Sequence, residues 1–126
     1  MIFYIILKEG DLMYKLLIVE DDFIIAKGLQ KHFEKYHYDV QYIEDFEHVL
    51  DEFLEFRPDL VLLDIKHIDN EKCKQLTGVG NEKALKLAKH LDERNIPVWI
   101  RQVLVPGITD DQKDLEKLGQ FVSTLN

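Results

Sequence analysis

Three carboxylates close two apolar runs. Glu20 and Asp21 follow Leu16-Leu17-Ile18-Val19, and Asp64 follows Leu60-Val61-Leu62-Leu63. Unbroken aliphatic runs of this length read as strands buried on both faces, as in a parallel sheet covered by helices. The first charge after such a run lies at the carboxyl end of the strand, the edge where open α/β sheets keep their ligands. If the two strands are neighbours, Glu20, Asp21 and Asp64 converge and repel one another unless a hard cation lies between them. Mg2+ suits such a set, because it prefers oxygen ligands and keeps open positions for water or phosphate oxygens. A carboxylate beside the metal can then attack a phosphoryl group. The expectation is a Mg2+ site held by Glu20, Asp21 and Asp64, with Asp64 at its centre. Simpler roles compete: Asp64 as the cap of the next turn, and Glu20-Asp21-Asp22 as a solvated helix start where acids favour the macrodipole.

Other residues invite chemistry less strongly. Trp99 and Arg101 fall on one strand and could mark a pocket, although a strand tryptophan is more often core. His67 and His90 have no metal-ligand spacing to any partner and are expected on the surface. Thr109-Asp110-Asp111 is explained by helix capping, with Thr109 and Gln112 as a capping box.

The elements that must position these groups alternate regularly. After the first apolar strand, Ile25, Leu29, Phe33 and Tyr36 recur at helical spacing. Tyr38 to Ile43 alternates as a strand nearer a sheet edge, and Asp45 is placed to cap a helix with Phe46, Val49, Leu50 and Phe53 inward. Pro58 closes that helix ahead of the central strand. Asp69 can cap a short helix through Cys73 and Leu76, ended by Gly78 and Gly80. A longer helix follows from Asn81 to Asn95, then a strand from Pro97 to Val105 and a last helix. The order βαβαβαβα requires right-handed crossovers. The predicted fold class is α/β, a flavodoxin-like three-layer sandwich with a mostly parallel sheet in the order 2-1-3-4, with an open half-barrel as the alternative. Residues 1–12, including the strand-like Ile2 to Leu7, read as an N-terminal extension to a single domain over 13–126.

With 46% hydrophobic and 32% charged residues, the composition is that of a globular domain. A formal charge of -8 leaves no uncompensated basic cluster for a phosphate backbone, so no nucleic-acid partner is expected. No apolar run is long enough to span a bilayer, and no membrane partner is expected. One cysteine, Cys73, excludes an internal disulfide and a cysteine-held iron–sulfur cluster, and fits the cytoplasm.

Two resemblances overlap along the chain. Lys15-Leu16-Leu17-Ile18-Val19-Glu20-Asp21-Asp22 with Pro58-Asp59-Leu60-Val61-Leu62-Leu63-Asp64 resembles the receiver domain of bacterial response regulators, from about Met13 to Ile65. That resemblance implies an acidic pair at Glu20 and Asp21, a phosphoacceptor at Asp64, and a histidine kinase or small acyl-phosphate donor as partner. The second half departs from it: the receiver's Ser/Thr position falls near Arg101 or Gln102, and its Lys-Pro is missing. Instead, Leu63-Asp64-Ile65-Lys66, Leu76-Thr77-Gly78-Val79, Pro97-Val98-Trp99-Ile100-Arg101 and Val105-Pro106-Gly107-Ile108-Thr109-Asp110-Asp111 resemble the pyruvate formate-lyase activating enzyme family, radical S-adenosylmethionine proteins built as partial barrels. This implies that Asp64 and Lys66 lie on an Asp-x-Lys segment near the S-adenosylmethionine site. The three-cysteine motif is missing. The two resemblances meet at a chimeric join near residues 58–66. The expectation is a receiver-like phosphorelay module that is not an enzyme; the alternatives are a remnant of the activating enzyme and a chimeric fold without activity.

Overall fold

A computed structural model describes residues 13–45 and 48–126. The elements are β1 (Lys15–Val19), α1 (Phe23–Glu34), β2 (Asp39–Ile43), α2 (Val49–Phe56), β3 (Leu60–Asp64), α3 (Asn70–Thr77), α4 (Glu82–Glu93), β4 (Val98–Arg101) and α5 (Gln112–Ser123). The strands form one parallel sheet in the order β2-β1-β3-β4, the expected flavodoxin-like arrangement. The chain divides into two compact units, the first ending at Leu62 and the second beginning at Leu63, so the boundary falls inside β3. The expected strand at Ile2 to Leu7 lies outside the described residues.

In the first unit, β1 is buried from Leu16 to Val19, because an apolar strand covered on both faces has no polar side to show. It pairs in parallel with β2, from Lys15 opposite Asp39 to Val19 opposite Ile43. The core gathers Leu16, Ile18, Phe33, Val40 and Leu62, with Leu29, Tyr38 and Tyr42 packed against it. Leu29 and Phe33 are four apart on α1 and therefore share its inner face. Asp22 starts α1, its Oδ1 accepting the N–H groups of Ile24 and Ile25 at 2.9 and 3.1 Å. Asp45 does not cap α2 as expected: His48 is the N-cap residue, and the Asp45 carboxylate pairs with its Nδ1. Phe46, expected on the inner face of α2, lies outside the described residues.

In the second unit, Asp69 caps α3 by accepting from Lys72 N–H, and Gly78 ends it at φ 83°, a left-handed turn that suits a residue without Cβ. Ala84, Leu87, Ala88 and Leu91 turn the buried face of α4 inward. β4 stops at Arg101 rather than running to Val105. Val103, Leu104 and Val105 are exposed, because the chain leaves the sheet for a turn fastened by Thr109, whose Oγ1 donates to Val103 O and accepts from Val105 N–H. Thr109 is thus buried and occupied, and Asp111 caps α5 by accepting from Asp114 N–H. Among the described residues no helix is long and apolar enough to cross a membrane.

Candidate ligand site at the end of strand β3

Burial to the last residue of β3 carries Asp64 into the interior, where it is 5% exposed. Parallel pairing brings β4 alongside, with Ile65 N–H donating to Arg101 O at 2.9 Å. That register sets the Arg101 side chain against Asp64: its guanidinium donates to Asp64 Oδ2 at 2.8 Å. Lys66 Nζ, two residues on, donates to the same oxygen at 2.9 Å. Asp64 Oδ1 is buried and has no hydrogen-bond partner. Buried carboxylate oxygens are ordinarily satisfied, so the site offers one bare acceptor beside two cations.

The loop after β3 is held by Asn81, whose Nδ2 donates to the carbonyls of His67 and Ile68 at 3.0 and 2.6 Å. Asn81 N–H donates to Asn70 Oδ1. Gly80 fits here because a Cβ would stand 2.4 Å from that same oxygen and would push it off the Asn81 amide. His67, expected on the surface, is 1% exposed; its Nδ1 accepts from Asp69 N–H, and α5 brings Asp114 within 3.7 Å of Nε2. No spacing in the sequence announces that contact.

The other predicted site residues sit in the first unit. Glu20 is buried and its Oε1 accepts from Asp22 N–H at 3.0 Å, while Asp21 is exposed. Among the described residues no group of three or more His, Cys, Asp or Glu side chains could hold a metal ion. Arg101 lies against Asp64, and Trp99 is half-exposed on the same strand.

Comparison with known proteins places the chain. The Radical SAM superfamily matches residues 7–119. The chain belongs to that superfamily. The pyruvate formate-lyase-activating enzyme of Staphylococcus epidermidis is 56% identical over 73 residues, 58% of this chain and 29% of the relative. That of Staphylococcus aureus strain USA300 is 44% identical over 101 residues, 80% of this chain and 33% of the relative. The chain therefore spans about a third of the length of the curated relatives it matches. Among solved structures, a domain of pyruvate-formate lyase-activating enzyme from Bacteroides vulgatus has a TM-score of 0.60 at 23% identity, covering 78% of this chain and 62% of that one. A response regulator from Thermotoga maritima also has a TM-score of 0.60, at 15% identity, covering 87% of this chain and 79% of that one. Both resemblances read from the sequence thus reappear, the receiver one as a fold.

Membership of a radical SAM superfamily corrects two expectations. The chain belongs to a superfamily of enzymes, against the expectation that it is not one. The cofactors of that superfamily are an iron–sulfur cluster and S-adenosylmethionine, against the expectation of Mg2+. The residues present do not fit the cluster. This chain has one cysteine, and Cys73 is buried, its sulfur 4.0 Å from the Thr77 hydroxyl, whereas such clusters are held by several thiolates.

Proposed function

We propose that this chain is the S-adenosylmethionine-binding part of an activating enzyme of the pyruvate formate-lyase type, with Asp64, Lys66 and Arg101 receiving the amino-acid end of that cofactor. The observation that carries this is the bare, buried Oδ1 of Asp64 beside two cations. An α-ammonium donates to a lone carboxylate oxygen, and an α-carboxylate suits a lysine and an arginine that already face one another across an acid. The three groups fit the zwitterion in charge and in donor count. When bound, S-adenosylmethionine supplies the carbon–sulfur bond whose reductive cleavage begins radical chemistry. These residues serve recognition: Asp64 fixes the ammonium, and Lys66 and Arg101 fix the carboxylate.

The test is an iron-free titration of S-adenosylmethionine followed by the fluorescence of Trp99, the chain's one tryptophan, two residues from Arg101. A saturable change in the wild type that is lost in Asp64→Asn is expected. No change in the wild type, or an unchanged affinity in Asp64→Asn, overturns the reading.

A second reading, a phosphoacceptor at Asp64 served by a histidine kinase or an acyl-phosphate donor, is favoured by one observation: an acid ending a central strand of a flavodoxin-like sheet. Two cations on one oxygen weigh against it, since they lower the nucleophilicity of the carboxylate. Gain of one phosphoryl group on Asp64 from acetyl phosphate would favour this reading over the first.

A further inference from the structure

A cleft of about 540 Å³ opens within the second unit between the α3 end and the turn before α5. His67, Lys72, Leu76, Ile108, Asp110 and Asp111 line it, and none of them belongs to the Asp64 site. His67 provides the sharpest feature. Its Nδ1 accepts from Asp69 N–H at 3.0 Å, which leaves the ring's proton on Nε2. That nitrogen is buried and has no hydrogen-bond partner; Asp114 Oδ2, at 3.7 Å, is beyond bonding distance. A buried donor left bare marks a place where an acceptor belongs.

Charge says what else the occupant carries. Lys72 bonds Asp114 and also lies near Asp111 and Asp69, so one cation there faces three acids. Asp110 and Asp111 each give one oxygen to a local backbone amide, that of Gly107 and that of Asp114 respectively, and keep their second oxygen and their charge. The cleft therefore repels anions and attracts cations. Half-exposed Leu76 and Ile108 supply apolar walls for an alkyl stem.

We infer that the cleft binds a small organic cation in which an ammonium or guanidinium group lies beside a carbonyl or hydroxyl acceptor, the acceptor meeting His67 Nε2–H and the cation meeting Asp110 and Asp111. The inference does not depend on the Asp64 reading.

The experiment is a titration of the full chain with L-argininamide, watched through the backbone amide signals of Gly107 and Ile108. A saturable shift is expected in the wild type. Asp110→Asn combined with Asp111→Asn keeps both local amide contacts, because asparagine caps as well as aspartate, yet removes the charge and should abolish saturation. His67→Phe should weaken binding about tenfold through the lost hydrogen bond. Acetamide, which has the acceptor alone, should not saturate. Absence of a saturable shift in the wild type, equal affinity in the double asparagine variant, or an equal response to acetamide overturns the inference.

Discussion

At the end of β1, Glu20 and Asp22 accept from backbone amides two or three residues away. At the end of β3, Asp64 is held by side chains, one of them 37 residues further along. The two strand ends look alike in sequence, an acid after four aliphatic residues, and they differ in what the acid does. A carboxylate that bonds its own helix start is finished when the helix forms. One that waits for a distant arginine, and keeps an oxygen bare even then, retains capacity for a ligand. The bonds each acid already makes decide its remaining capacity.

The largest effect that would break this comparison is Arg101→Met. It leaves a buried carboxylate with Lys66 as its remaining charged partner, and we expect a loss of about 3 kcal/mol in unfolding free energy by denaturant titration. Glu20→Gln, by contrast, keeps an acceptor for Asp22 N–H and should cost about 1 kcal/mol or less. Equal losses in the two variants would erase the distinction drawn between the strand ends. Next in size is Asp22→Ala, which removes two amide contacts at the start of α1 and should cost about 1 kcal/mol. Its effect should leave S-adenosylmethionine binding unchanged, since the end of β1 is assigned only a structural part.

The smallest effect sharpens the comparison within the second unit. The backbone N–H of Lys72 holds the Asp69 carboxyl below its ordinary 3.8, with Lys117 and Lys72 charges adding to it. A group whose pKa is lowered on folding contributes stability above its unfolded value and loses it as pH falls through the folded one. Wild-type stability should therefore decline below about pH 4 slightly more steeply than that of Asp69→Asn, which keeps the cap without titrating. Identical acid limbs in thermal melts of the two proteins would contradict this.

The periodicity made the βα order and most helix starts legible, because caps such as Asp22 and Asp69 sit next to the helices they begin. Misreadings arose where a partner is remote or a competitor is near. His67 read as a surface residue because its burial depends on Asp114 in α5. Val103 to Val105 read as strand because they are apolar, but Thr109 draws that backbone into a turn. Thr109 and Asp111 both looked like caps, and only the fold chose Asp111. The end of its strand singles out Asp64; the arginine opposite, which bonds the same oxygen as Lys66, needed β4 in register.

The clamp of Asn81 bears on how the loop after β3 can open. Both hydrogens of its side-chain nitrogen are spent on adjacent carbonyls, and its backbone amide on Asn70, so residues on either side of α3 cannot be released one at a time. Detachment of Asn81 frees 67–70 and 80–81 together. Amide hydrogens in those two stretches, separated by a whole helix, should then exchange with solvent at a common rate, as a single cooperative unit.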